Sequence, residues 1–412
     1  MLPAESFVKQ LLRTLLIGFF TLLLGGSLLL FISGERFYTA VSLSVSAVCG
    51  CPLLYADGLE ELSFFSQTTV AVLMQLSALL FMWVGGSLIS VYHGQFDLWK
   101  NLRRAVFFTI LIELLAIVGL NILWNAEMIF HSPLEKICHS VFMAVSAFTH
   151  SGFTLTAGGF NGVALQQAFL IQLVCTPVIF AGSLSSYVIF DMYSIRKLRE
   201  RLMQPELKWE AITRVSLFAA VGLLLTGAVL FYLLPNQPVA STDKAVVKGI
   251  YSLFQSVSWR SAGFSLIAPE ELGSNLLLLA VTAIFMFIGS SFAAAGGGIT
   301  TLMVWVLLAK RYSVQMSSAL LHTAKSVVYY ALLCILSATL LLWVVKPGTF
   351  IGVHFFTAVS AFSGTGISAL VQSDYTVFYS MICLLLMVAG KPMLLFIACR
   401  SALKNKLFTL PA

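Results

Sequence analysis

Long apolar blocks divide this chain, and their lengths are those of membrane crossings. The blocks are Leu12–Ile32, Thr69–Val91, Val106–Leu123, Leu165–Val188, Val215–Leu234, Leu276–Leu308, Val327–Val345 and Val377–Ala398. A helix that crosses a bilayer needs about 20 apolar residues. The pattern therefore predicts an all-α integral membrane protein with eight crossings. The first block is too long for a signal-peptide core, and no clear small-residue cleavage site follows it, so it is expected to remain as a helix. The sixth block is longer than one crossing requires. It contains Gly296, Gly297 and Gly298, and three consecutive glycines weaken a helix.

Between paired blocks lie shorter segments that resemble one another. Three are Phe142–Phe153, Phe254–Phe264 and Phe356–Ile367, each with a Val-Ser pair followed by small or polar residues and a glycine. A weaker fourth, Ala40–Gly50, precedes them. Aligned on Gly50, Gly152, Gly263 and Gly366, the segments recur at intervals of 102, 111 and 103 residues. The predicted unit is helix, re-entrant segment, helix, repeated over residues 1–98, 99–203, 204–312 and 313–412 around a pseudo-fourfold pore. Irregular backbone at membrane depth is tolerated where it lines a wet cavity or is buried in protein. Four such segments entering from one side can surround one axis.

These residue types suit a cation. Rings of backbone carbonyls can replace its hydration shell without introducing a full charge. Glycine permits the conformations that turn successive carbonyls inward. A short helix before each loop would aim the negative end of its dipole at the ion. The candidate filter is Val48, Cys49, Gly50 and Cys51; Thr149, His150, Ser151, Gly152 and Phe153; Arg260, Ser261, Ala262, Gly263 and Phe264; and Ser363, Gly364, Thr365, Gly366 and Ile367.

Composition and charge narrow the picture. The chain is 59% hydrophobic and 10% charged, too few charges to cover a soluble domain of this size. Its net charge of +7 does not mark a nucleic-acid binder, because Lys and Arg fall in loops on alternate sides. Sixteen lie on one side, among them Lys9, Arg104, Arg196, Lys208 and Lys406. Six lie on the other: Arg36, Lys136, Lys244, Lys248, Arg260 and Lys346. The positive-inside rule then puts both termini in the cytoplasm. The opposite side carries acidic residues, including Glu35, Asp57, Glu127 and Asp243, which read either as ordinary solvated loops or as a surface that concentrates cations. Seven cysteines show no disulfide or zinc spacing.

At the repeated segments the sequence resembles the Trk/Ktr/HKT superfamily of potassium transporters, in particular membrane subunits of the TrkH/KtrB type. Val145-Ser-Ala-Phe with Ser151-Gly-Phe resembles the second filter loop. Arg260-Ser-Ala-Gly-Phe resembles the third, and Val359-Ser-Ala-Phe with Gly366 the fourth. Ser46-Ala-Val-Cys-Gly50 is a divergent first loop, and Gly50 there leans the resemblance toward potassium over sodium. Met286–Ile299 resembles the Gly-rich stretch that breaks the second helix of repeat three and acts as an intramembrane gate. That makes Ala293, Ala294, Ala295, Gly296, Gly297 and Gly298 candidate gate residues. Here alanines stand where the family commonly has serine or threonine. Lys391, between Gly390 and Pro392, falls where the family often has an arginine projecting toward the pore. A lysine snorkelling to the interface is the other reading of it. The resemblance also implies a homodimer in a bacterial inner (plasma) membrane, resting on cytoplasmic nucleotide-binding regulatory subunits of the TrkA/KtrA type. Potassium is the transported ion. No covalent cofactor is expected, and control by ATP, ADP or NAD would come from that partner. Membrane lipid is the plainer partner for the basic segment Arg196–Lys208.

Several residues keep two readings. His150 either faces the ions, where its charge would repel them in acid, or packs as a neutral ring behind its loop. Cys49 and Cys51 are small loop residues or, with too few ligands, a soft-metal site. Glu113 sits inside an apolar block, with a partner on a neighbouring helix expected but unnamed. Lys325 is expected to snorkel. For function as a whole, a sodium-coupled or weakly selective monovalent cation transporter shares the same scaffold. An intramembrane serine hydrolase would need Ser151 or Ser363 within reach of a histidine such as His354, and it leaves the fourfold repeat unexplained.

Overall fold

The computed structural model of the chain describes residues 4–55, 58–92, 94, 97–124, 130, 132–204, 209–234, 245–311, 318–371 and 374–404. Asp57, Glu127, Lys208, Asp243, Lys244 and Lys406 lie outside the described residues, as do the expected boundary at residues 312 and 313 and the outermost residues of both termini. The described residues are helical throughout, apart from loops and one isolated parallel bridge between Ile288 and Ile299.

The first quarter of the chain holds α1 (Ala4–Ile32), the short α2 (Phe37–Cys49) and α3 (Phe64–Tyr92). The second holds α4 (Leu98–Leu123), α5 (Pro133–Thr149), the single turn α6 (Val163–Gln166), α7 (Phe169–Gly182) and α8 (Ser186–Tyr193). After α9 (Ile195–Met203) come α10 (Ala211–Leu233), α11 (Ala245–Ser261), the short α12 (Pro269–Ser274), α13 (Leu276–Phe287) and α14 (Thr301–Arg311). The last quarter holds α15 (Ser318–Val345), α16 (Ile351–Ser363), α17 (Val377–Ala389) and α18 (Lys391–Lys404).

Five of these helices are long and apolar enough to span a bilayer alone: α1, α3, α4, α10 and α15. α17 continued by α18 makes a sixth. Three of the eight expected crossings are not plain helices. α7 and α8 meet at a bend of 95°. α13 has only 12 residues before residues 288–300 interrupt it. α17 jogs into α18 at Gly390. The bends follow from close packing. A Cβ on Gly182 would overlap the Phe148 carbonyl at the end of α5, and one on Gly390 would overlap the Phe362 carbonyl at the end of α16. Only a residue without a side chain lets each helix turn beneath the short helix it supports.

The outward faces are apolar and exposed, as at Ile17, Leu24, Leu115, Val118, Phe218, Val229, Leu336 and Leu340. The inside is apolar as well, but it also holds many small polar side chains, such as Ser42, Ser44, Ser46, Ser87 and Ser90. An apolar outer belt over an interior with small polar residues belongs to a protein whose solvent at the belt is lipid. Helices also bond through polar side chains at depth. Gln75 of α3 donates to Glu113 of α4 at 3.0 Å, which supplies the partner expected for Glu113. Asn101 of α4 bonds Ser87 and Ser90 of α3 at 3.3 and 3.2 Å. Lys325 is exposed.

The four short helices α2, α5, α11 and α16 share one packing rule. Each lies against the helices before and after it in its own quarter. Each also touches the second long element of the quarter before: α5 on α3, α11 on α7, α16 on α13, and α2 on α17. The last contact closes the circle. At the face where α1 begins and α18 ends, buried Asp191 accepts from Lys197 at 2.8 Å and Arg201 at 2.7 Å, and Lys197 also reaches Glu210 at 2.6 Å. Burial alone would lower the Lys197 pKa, but bonds to the two carboxylates outweigh it and hold it above its ordinary value. This cluster staples α9 to the ends of α8 and α10.

Candidate ion pathway

Each short helix ends near the centre of the ring and is followed by a tight loop. The serine of each Val-Ser pair sets the loop's first bond. The carbonyls of Ser46, Ser146, Ser258 and Ser360 accept from the amides of Cys51, Ser151, Gly263 and Thr365 at 2.9, 3.0, 3.2 and 3.0 Å. The residue just past the helix is left-handed in three loops: Gly50 (φ 67°), His150 (φ 59°) and Gly364 (φ 71°). A side chain is rarely found there, and His150 is one of two described non-glycine residues that adopt it. Further along come Gly152, Gly263 and Gly366, also with positive φ.

This geometry corrects the alignment on Gly50. Gly50 matches His150 and Gly364, not the later glycines. Counting six residues from the helix serine leads from Ser146 to Gly152, from Ser360 to Gly366, and from Ser46 to Pro52. The third loop is one residue shorter and reaches Gly263 in five. Cys49 and Cys51 thus stand where the second loop has Thr149 and Ser151 and the fourth has Ser363 and Thr365. Those hydroxyls bond each other within their loops, at 2.8 and 2.7 Å. Both cysteines are buried, and no group of three or more metal-ligating side chains occurs among the described residues.

The loops meet in chain order. A Cβ on Gly50 would lie 3.5 Å from the His150 carbonyl oxygen, and one on Gly152 would lie 2.5 Å from that of Ala262. One on Gly263 would overlap the Thr365 oxygen, and one on Gly364 would lie 3.4 Å from the Cys49 oxygen. Each loop therefore faces the next, and the fourth faces the first. Among the described residues, no hydrogen bond ends on the carbonyls of Cys49, Gly50, Thr149, His150, Ala262 or Thr365. Buried backbone carbonyls are nearly always paired, so this cluster is an acceptor site without donors. It lies at the C-terminal ends of four helices, where the dipoles favour positive charge.

The other expected filter residues frame the loops. Val48 and Arg260 sit in the last turns of α2 and α11, and Phe153, Phe264 and Ile367 are buried just beyond the glycines. The Arg260 side chain is buried, and its Nε and Nη2 find no hydrogen-bond partner among the described residues. His150 turns its ring away from the loops' common centre. Its Nε2 lies 2.8 Å from the Ile179 carbonyl of α7, which can only accept, so Nε2 carries the proton. Nδ1 then accepts from the Ser261 hydroxyl at 2.7 Å. Of the two readings of His150, the ring packed behind its loop is the one found.

Beneath the short helices' ends lies the 288–300 loop. Its own bonds run from Gly289 to Ile299 and from Ser290 to Gly297. It is also tied to the bend between α7 and α8: Ser291 donates to the Ser183 carbonyl at 3.0 Å, and Ala295 to that of Gly182 at 3.1 Å. A Cβ on Gly297 would overlap the Ser363 carbonyl, and one on Gly296 would lie 2.6 Å from the Ser261 hydroxyl. Ala293 presses on Gly85 of α3 and takes a positive φ of 64°. Lys391 does not snorkel. Its ammonium donates to the Ala295 carbonyl and stands 4.4 Å from the centre of the Phe81 ring. A small cavity of about 50 Å³ opens here, lined by Phe81, Ala293, Gly298 and Lys391 among others. A second, of about 40 Å³, lies on the far side of the loops against Gly152, Gly263 and Gly366.

The site expected from the sequence does not include Pro52, Phe81, Ile179 or Ser183. The six-residue count from Ser46 could have found Pro52; nothing local marks the other three. The hydrolase arrangement is not assembled. His354 spends its nitrogens on Tyr379 and the Lys346 carbonyl, while Ser151 and Ser363 pair with threonines. His150→Asn keeps a residue that tolerates the left-handed backbone but cannot span Ile179 and Ser261 together. It is expected to cost about 1–3 kcal/mol of stability, the cost of unsatisfied buried partners, read as a lowered thermal-unfolding midpoint in detergent. An unchanged midpoint would deny the ring its anchoring role.

Comparison with known proteins agrees with this architecture. The family model described as TrkH, cation transport protein, matches residues 97–318, more than half of the chain. Ktr system potassium uptake protein D of Bacillus subtilis (strain 168) is 27% identical over 312 residues, covering 72% of this chain and 67% of its own length. Ktr system potassium uptake protein B of Vibrio alginolyticus is 23% identical over 416 residues, covering 92% and 88%. Potassium/sodium uptake protein NtpJ of Enterococcus hirae is 25% identical over 421 residues, covering 91% and 89%. The crystal structure of the potassium transporter TrkH from Vibrio parahaemolyticus has the same fold, with a TM-score of 0.70 at 16% identity, over 100% of this chain and 86% of that one. The chain belongs to the TrkH family of cation transport proteins, multi-pass membrane proteins of the Trk/Ktr superfamily and not enzymes.

Proposed function

We propose that this protein carries potassium ions across the plasma membrane, through a filter of carbonyl oxygens from four re-entrant loops. The observation that carries the reading is the ring of buried carbonyls without donors at four helix C-termini. Relatives named as potassium uptake proteins support the choice of ion. The eight crossings are α1, α3, α4, α7 with α8, α10, α13 with α14, α15, and α17 with α18. They divide the chain into four repeats near residues 98, 203 and 312. Both termini face the cytoplasm and the short helices enter from outside, as the basic residues suggest. The membrane potential then drives uptake, at about 2.3 kcal/mol per charge per 100 mV.

The 288–300 loop is the gate in this reading. It fills the space below the filter, and its alanines and glycines offer few side-chain bonds to hold it. Backbone bonds to Gly182 and Ser183, and the Lys391 bond to Ala295, do that work instead. The protein acts as a homodimer on cytoplasmic nucleotide-binding regulatory subunits of the kind that Ktr systems imply. Potassium is its cargo, and no covalent cofactor takes part. A weakly selective potassium and sodium transporter is the second reading. Pro52 in the first loop favours it, as does the likeness to a potassium/sodium uptake protein.

Rubidium uptake into liposomes tests the first reading. Potassium should compete at least tenfold better than sodium, a difference of about 1.4 kcal/mol, and Gly263→Ser should erase that preference. Equal competition by sodium would favour the second reading. Lys391→Met keeps a long, unbranched side chain but cannot bond the Ala295 carbonyl. It is expected to raise uptake severalfold, and unchanged uptake would separate Lys391 from the gate.

A further inference from the structure

We infer that Pro52 is a plug at the outer ring of the filter, the residue that limits which cations pass and how well they bind. The inference rests on the carbonyl-filter reading above and concerns a level of the pathway which that reading leaves open.

The carrying observation is a convergence on one atom. Pro52 Cγ stands 2.8 Å from the position a Cβ on Gly152 would take, 3.2 Å from that of Gly263, and 2.7 Å from that of Gly366. These glycines belong to three different loops, and Pro52 belongs to the fourth. In a ring closed in chain order, an atom attached to one side and close to the other three lies at the axis. Carbon atoms pack at about 3.5–4.0 Å, so the pyrrolidine ring fills the gap that the three glycines leave by having no side chains. Pro52 is itself buried.

The chemistry of this level changes as well. The Pro52 carbonyl accepts from the Tyr55 amide at 2.7 Å, so it is engaged in a turn within its own loop. The first loop thus offers methylene groups here where an ion would need oxygen. A cation crossing this level sheds water on one side and meets no replacement ligand there. The glycines are small for the same reason that the proline is tolerated: three absent Cβ atoms make room for one ring. The deeper carbonyls of Cys49, Thr149, His150 and Ala262 are untouched by this and remain free to bind.

Equilibrium binding of rubidium-86 to the purified full-length protein in detergent reads this level without requiring an open gate. Wild type, Pro52→Gly and Pro52→Ala are compared, each confirmed as folded by gel filtration. Pro52→Gly is expected to bind rubidium about tenfold more tightly than wild type, and Pro52→Ala, which removes Cγ and Cδ, to fall between them. Pro52→Ala keeps the test decisive should the glycine variant not fold. Equal or weaker binding in the folded variants overturns the plug. No rubidium binding to any of the three folded proteins overturns the filter reading itself.

Discussion

A backbone carbonyl buried with no donor costs about 1–3 kcal/mol, and in this protein several such carbonyls meet inside the helix bundle. Cys49, Gly50, Thr149, His150, Ala262 and Thr365 each hold one. A fold keeps such a cluster only if something else holds the backbone in place and something positive visits it. The rest of the molecule answers the first need. Each short helix is wedged between two long elements of its own quarter and one from the quarter before, so no loop can relax without displacing its neighbours. Four helix C-termini aimed at one point answer the second, since their dipoles would repel each other less with a cation between them.

The same constraint explains the bends. To bring four short helices to one axis, the long elements that follow them must pass close beneath. Gly182 and Gly390 permit that approach, and the chain turns where it passes. At the α7–α8 bend the carbonyls of Gly182 and Ser183 lose their helical partners and take donors from the 288–300 loop instead. Ile179, one turn earlier, takes the His150 ring. The loop that follows α5 and the 288–300 loop are therefore fastened to the same short stretch of α7.

Much of this was legible in the sequence. Block lengths gave the membrane class, and the Val-Ser repeats gave the four short helices and their common axis. The glycine run at 296–298 marked the broken element. Gly50 is not the counterpart of Gly152, Gly263 and Gly366, because the loop counts from the helix serine, and six residues from Ser46 lead to Pro52. The bend in the fourth block was hidden, because Gly182 sits in an apolar run whose composition is that of a straight helix. For Lys391 and His150 the sequence leaves two directions open, and the groups that decide between them are distant. Each depends on a carbonyl more than 25 residues away, on Ala295 and Ile179, and nothing in the local pattern encodes a distant acceptor.

The central claim is that the carbonyl ring holds a dehydrated cation. Rubidium scatters anomalously, so diffraction from crystals grown in rubidium chloride measures this directly. The account predicts an anomalous peak on the axis, among the carbonyls of Cys49, Thr149, His150 and Ala262 and inward of Pro52. A featureless axis, with the strongest peak at a polar site such as the Gln75–Glu113 pair, would contradict it.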